Sequence, residues 1–158
     1  MSFLPTISVA PQQGTITDGA AGTFTLSPAV VLASSVLHWL NASYAGGGTG
    51  PGTLSYTTTL VTAANGDTSA VHKFLLISFN AIWLRQAVQR FNVVFSGATV
   101  DQTITAVGTK AVIYLNGWAG PGGVDIPTCQ FTSTTNVRLF KNAAVNNARL
   151  AFSVVDFR

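Results

Sequence analysis

Short stretches of the chain alternate apolar and polar residues, the spacing of half-buried strands, and the absence of Glu with the abundance of Thr and Val likewise favours strands over helices. Thr23-Phe24-Thr25-Leu26 starts the pattern. Strands are expected over residues 54–61 and 71–79, separated by Asn65-Gly66-Asp67, whose Asn-Gly step suits the positive backbone angles of a hairpin turn. Phe91, Val93 and Phe95, then residues 100–107 and 110–115, continue as a meander with turn signals about every ten residues, as in a sandwich or barrel. The last of these strands runs into Asn116-Gly117, which places Tyr114 and Trp118 astride one turn. Further strands are expected over residues 128–132, 137–141 and 149–158, the last two forming a hairpin joined by residues 142–147. In the final strand Leu150, Phe152 and Val154 share one face while Ala151, Val155 and Phe157 share the other. Both faces call for burial, so this strand is central in a sheet or covered by another subunit.

Other segments interrupt the alternation. Gly46-Gly47-Gly48-Thr49-Gly50-Pro51-Gly52 and Gly120-Pro121-Gly122-Gly123 read as loops, because glycine entropy and the missing proline donor oppose both regular elements. Residues 28–40 follow a Ser27-Pro28 start signal and fit a short helix, with a buried strand competing through Val30, Val31 and Val36. Residues 81–91 place Leu84, Val88 and Phe91 opposite Arg85, Gln86, Gln89 and Arg90, which suits either an amphipathic helix or a continuing strand. Residues 1–22, small and polar with Pro5, Pro11 and Gly14, read as an amino-terminal arm. Residues 23–158 then form a single mainly β domain with at most one or two short helices.

Composition narrows the function. A chain of 158 residues suffices for one self-sufficient core. Only 8 % of its residues are charged, against about 25 % in an ordinary globular protein, so the surface is built from Thr, Ser, Asn and Gly. Eight basic residues face five aspartates, for a net charge of +3. Only Arg85 with Arg90 and Arg138 with Lys141 lie close in sequence, which is no phosphate-tracking stripe, and nucleic acid is not an expected partner. No apolar run approaches the roughly 20 residues of a bilayer span, and the first residues lack the basic and apolar stretches of a secretory signal, so no membrane association is expected. The lone Cys129 excludes an intrachain disulfide and reads as a small buried hydrophobe.

Candidate chemistry is sparse. The Gly46-to-Gly52 loop has no lysine after it and so lacks the pieces of a phosphate loop. A metal would need His38 and His72 brought together with an acid such as Asp67, and a packed histidine is the more ordinary role. No G-x-S-x-G occurs, and the scattered aspartates give no reason to pair any two as glycosidase acids. Asn41-Ala42-Ser43 has the form of a glycosylation acceptor but lacks the secretory context. No enzyme and no cofactor are expected. Tyr114, Asn116 and Trp118 form the candidate glycan contact, since aromatic rings stack on sugar faces while an amide holds hydroxyls. Hairpin packing is the alternative role for the same aromatics.

Val137-Arg138-Leu139-Phe140-Lys141-Asn142 together with residues 148–158 resembles the closing hairpin of trimeric jelly-roll domains. These are the tumour-necrosis-factor-like modules also found in fibre tips and capsid decoration proteins of tailed bacteriophages. The resemblance implies an antiparallel β-sandwich of jelly-roll type, with Phe152, Val154, Val155 and Phe157 near a subunit interface. It also implies a virion location and a capsid decoration or cement subunit, binding a major capsid protein or another virion protein as a homotrimer. The arm would reach the shell. A glycan- or receptor-binding module and a self-assembling small coat protein are the other two expectations.

Overall fold

The computed structural model describes residues 7–17, 22–43, 50–120, 126–142 and 147–158, and within them the fold is mainly β. Twelve strands form three antiparallel sheets: β1 (Ile7–Thr17), β2 (Thr23–Thr25), β3 (Ser35–Ser43), β4 (Gly52–Tyr56), β5 (Leu60–Ala64), β6 (Val71–Phe79), β7 (Gln89–Phe95), β8 (Thr99–Thr103), β9 (Ala111–Ala119), β10 (Thr128–Ser133), β11 (Asn136–Phe140) and β12 (Ala148–Asp156). The sheet orders are β1-β6-β3, β10-β11-β8 and β2-β5-β4-β9-β12-β7.

The six-stranded sheet is two halves joined at a narrow point. β4 and β9 pair only through Gly52 with Trp118 and Thr53 with Gly117. On one side of this junction, Leu54, Tyr56, Val61 and Ala63 of β4 and β5 close a core against Ile16, Leu37, Phe74 and Leu76 of the β1-β6-β3 sheet. On the other, Leu150, Phe152 and Val154 of β12 pack with Val137 and Leu139 of β11 in a second core. A third, smaller cluster joins Val36 and Phe79 to Leu84, Val88 and Val155. Phe74 and Leu76 therefore enter one cluster while Phe79, an odd number of residues along the same strand, enters another. The sheets are stacked; β12 is buried on both faces, while β6 buries His72, Phe74, Leu76 and Ser78 on one face and leaves Lys73 exposed on the other.

Several sequence expectations change. Both ambiguous windows resolve to single turns of 3-10 helix followed by strand: Leu32–Ser34 leads into β3, and Ala81–Trp83 is followed by β7. Helix formation loses because β-branched and aromatic residues gain more from a pleated, two-sided surface than from helical propensity. The segment over residues 54–61 is itself a hairpin, β4 and β5, turning at Thr57–Thr59, where the Thr57 hydroxyl accepts from Leu60 N at 3.1 Å. Asn65 does adopt a left-handed φ of 64°, but the chain beyond it enters a different sheet instead of pairing back. The expected meander is likewise not one: β7, β8 and β9 fall in the six-stranded sheet, the β10-β11-β8 sheet and the six-stranded sheet again.

The closing hairpin is also corrected. β11 pairs with β10 and β8, while β12 pairs with β7 and β9, so the two segments that carried the jelly-roll resemblance lie in different sheets. The cause is legible in the burial. β11 alternates with Val137 and Leu139 inside and Arg138 outside, whereas all of β12 except Arg149 is buried, which only a central strand allows. The arm changes status as well. Ile7–Thr17 pairs along β6, Ile16 is 1 % exposed in the first core, and a Cβ on Gly14 would lie 2.4 Å from the Phe74 ring. This part of residues 1–22 is an integral strand, while residues 1–6 and 18–21 lie outside the described residues.

Candidate functional site

The residues singled out as a glycan contact are separated by a β-bulge. Gly117 pairs with Ala151 and Leu115 pairs with Phe152, so Asn116 is the extra residue on β9. Plain alternation would put Tyr114 and Trp118 on the same face. The bulge shifts that parity by one, so Trp118 joins Ile113 and Leu115 in the second core at 4 % exposure. Tyr114 turns to the opposite face, where its ring meets His38 edge-on at 5.7 Å. Asn116 is buried, and with its amide oriented to satisfy its neighbours it donates to Leu37 O at 2.9 Å and Tyr114 O at 3.1 Å and accepts from Ser153 Oγ at 3.0 Å. No turn forms at Asn116-Gly117, Trp118 presents no surface to a sugar, and the Asn116 amide is taken up by Leu37, Tyr114 and Ser153.

The expected subunit-interface residues are closed within the chain. Phe152 and Val155 are 0 % exposed and Val154 is 1 % exposed, packed by this protein's own strands. Phe152 stacks on Phe91 with ring centroids 5.0 Å apart. Phe157 is part-buried, edge-on to Phe79 at 5.1 Å. The two-sided apolar pattern of this strand is therefore accounted for by its central place in one subunit. Asp156, at its end, accepts from Gly108 N at 3.0 Å and pairs with the Arg85 guanidinium at 3.5 Å, pinning the segment after β8.

The histidines do not converge. His38 pairs with Leu75 and His72 with Ala42, and positions 72 and 75 of β6 face opposite sides of the sheet. The Asp67 carboxylate is engaged by Ser69, through N at 2.8 Å and Oγ at 2.6 Å. Among the described residues no group of three or more metal-ligating side chains forms. Cys129 is part-buried and burial pushes its thiol up to about 11, so at neutral pH it is a packed hydrophobe and not a nucleophile.

His72 has a stability role instead. It is fully buried, and the residues opposite it on the neighbouring strands are the uncharged Ile16 and Ala42. Burial lowers its pKa from 6.5, outweighing the opposing influence of the Pro51 backbone. The unfolded chain therefore takes up the proton first as pH falls. Its contribution is complete above the unfolded value and is lost progressively as pH drops below about 6.5. The thermal midpoint is expected to fall between pH 7.5 and 5, with a clearly smaller slope in His72→Leu; equal slopes would remove His72 as the cause.

A different feature was not legible in the sequence. β7 is an edge strand of the six-stranded sheet, and its Arg90, Asn92 and Val94 share the face turned away from the second core. Along that face lie two consecutive cavities. The smaller, about 160 Å³, is lined by Ser55, Tyr56, Arg90, Asn92, Asn116 and Ala151. The larger, about 470 Å³, is lined by Asn65, Gly66, Val94, Ala119, Asn147 and Arg149. Arg149 stands at their junction, donating to Asn92 Oδ1 at 3.3 Å.

The two cations of this groove differ in role. Arg90 is a structural clamp: Nε donates to the Tyr56 hydroxyl at 2.8 Å, Nη1 to Val88 O at 3.2 Å, and Nη2 to Ser35 O at 2.9 Å and to Leu32 O. It ties β7 to β4 and to the first 3-10 turn. Burial raises the Tyr56 pKa, with Arg90 opposing, and the Tyr56 hydroxyl donates in turn to Ser35 O. Arg149 makes one amide contact and has no acidic partner among the described residues.

No protein-family model, curated protein or solved structure matches this chain, so its relationships rest on the fold and sites described above.

Proposed function

We propose that this protein is a non-enzymatic structural subunit of a virion, a capsid decoration or cement protein that works as a homo-oligomer, with a homotrimer expected. The observation that carries the reading is an exposed apolar shelf that holds the two most exposed large apolar side chains among the described residues. Val31 is 67 % exposed and Ile82 is 64 % exposed, each in or beside one of the two 3-10 turns. Those turns flank a groove of about 220 Å³ lined by Val31, Ala33, Ala81, Leu84 and Ala87. The hydrogen bond from Val88 N to Ala33 O, 2.9 Å, holds the two segments together. Apolar side chains this exposed lose water favourably when a second copy covers them. Contacts that exist only in the assembled shell would then stabilise that shell by linkage.

The jelly-roll relationship belongs to the same reading. Its support is antiparallel sheets stacked face to face, with consecutive strands repeatedly changing sheet. The expected shell contact through residues 1–22 narrows, because Ile7–Thr17 is a sheet strand; a truncation that tests attachment must stop before Ile7. Losing capsid attachment on removal of residues 1–6 would support that contact.

Light scattering on the purified protein is expected to give a mass near three chains. Ile82→Asp should dissociate the oligomer while changing folding stability by no more than about 0.5 kcal/mol, since the side chain is exposed. A wild-type monomer at tens of micromolar would overturn the reading. Closed particles seen by electron microscopy would instead identify a coat protein. The glycan-binding reading keeps one specific observation in its favour, the polar groove along β7.

A further inference from the structure

We propose that the groove along β7 and β12 is a binding site for an acidic saccharide, with Arg149 receiving the carboxylate. The inference is independent of oligomeric state and moves recognition away from the buried Asn116 and Trp118. The larger cavity, about 470 Å³, lies within the range of roughly 300–1,000 Å³ typical of small-ligand sites. Its lining combines the elements a sugar acid needs. Arg149 has no acidic partner among the described residues and keeps donors beyond its one contact with Asn92. A guanidinium binds a carboxylate through paired charge-assisted hydrogen bonds.

Hydroxyl recognition falls to amides. Asn147 is exposed in the same cavity, and Asn65 donates through Nδ2 to Thr53 Oγ1 at 3.3 Å, leaving its side-chain oxygen as an acceptor. Val94, 47 % exposed, supplies an apolar contact for the carbon face of a ring, beside the nearly buried Ala119. Asn92 lies two residues along β7 from Val94, about 7 Å away, at the entrance to the smaller cavity, so a second sugar unit has a place to extend. Asp67 is the acid closest in sequence to Asn65, and its carboxylate is engaged by Ser69. An acidic peptide is the less favoured occupant because the three amides suit hydroxyls and the described cations in the groove number only Arg90 and Arg149.

The test is saturation-transfer NMR and calorimetry on the intact protein with 3′-sialyllactose, digalacturonate and a glucuronate disaccharide, using lactose as the uncharged control. At least one acid sugar is expected to bind at millimolar concentration or better, with lactose weaker by about tenfold. Arg149→Gln should remove that difference while leaving the unfolding midpoint unchanged within a few degrees. Asn92→Ala, which frees the guanidinium from its orienting partner and removes one hydroxyl-binding amide, should weaken the acid sugar by a larger factor than it weakens lactose. Absence of binding by all three acid sugars, binding unaffected by Arg149→Gln, or capture of a polyglutamate peptide in preference to every saccharide would each overturn the assignment.

Discussion

Replacing Phe152 with alanine is expected to cost about 3–5 kcal/mol of folding stability, among the largest effects of any single substitution here. The residue lies in the middle of β12, fully buried, flanked on the sheet by β7 and β9 and stacked on Phe91. Truncation removes a whole ring from a site held on both sides by strands that cannot collapse independently, so both the transfer and cavity terms apply. For a domain of this size the thermal midpoint should drop by roughly 10 °C. The result also discriminates between two roles for the final strand. If Phe152 served mainly a subunit seam, its loss would appear as dissociation at low concentration with the monomer still folded. Burial inside one chain predicts a loss of stability independent of protein concentration. A cost below about 1 kcal/mol would contradict its placement in the core.

Gly117→Ala should be the second severe change. Gly117 has φ of +118°, and a Cβ there would sit 2.6 Å from the Gly52 carbonyl oxygen and 3.1 Å from Thr53 Cα. Both obstacles are backbone, so no side chain can rotate away. Conformational strain of about 1–3 kcal/mol adds to an overpacking cost of similar size. The damage falls where the sheet is narrowest, because Gly52–Trp118 and Thr53–Gly117 are the only pairs joining β4 to β9. Hydrogen exchange should therefore accelerate at the amides of β4 and β9 near the junction, ahead of those in β11. Gly97→Ala provides the control, since its nearest neighbour would be Thr99 O at 3.5 Å and its stability should hardly change. Equal effects at the two glycines would refute the close-approach explanation.

The strands were legible because their signal is local. Thr23-Phe24-Thr25 and Asn136–Phe140 carry period-two alternation that needs no knowledge of a partner, and both are strands. What could not be read was which strands pair. Asn65-Gly66 bears a hairpin signature, yet β6 gains more from lying between β1 and β3, where Phe74 and Leu76 meet the first core, than from returning along β5. The site residues failed for a related reason. A single bulge at Asn116 reverses the facing of everything beyond it on β9, and nothing in Tyr114-Leu115-Asn116-Gly117-Trp118 separates a bulge from a turn. The groove escaped notice because its lining comes from five distant stretches of chain, around residues 55, 66, 92, 118 and 149, which only the fold brings together.

Composition and periodicity alone determined that this protein is mainly β with a largely uncharged surface, and that its last strand is buried on both faces. Those properties depend on residue type and spacing, which every local segment carries with it. Only the tertiary structure decided that the last strand is covered by its own chain, that Trp118 is core, that Ile7–Thr17 belongs to a sheet, and that Arg149 stands beside an open groove. Each of these turns on which strand lies beside which, a choice among long-range contacts whose free energies differ by little and are summed over the whole fold.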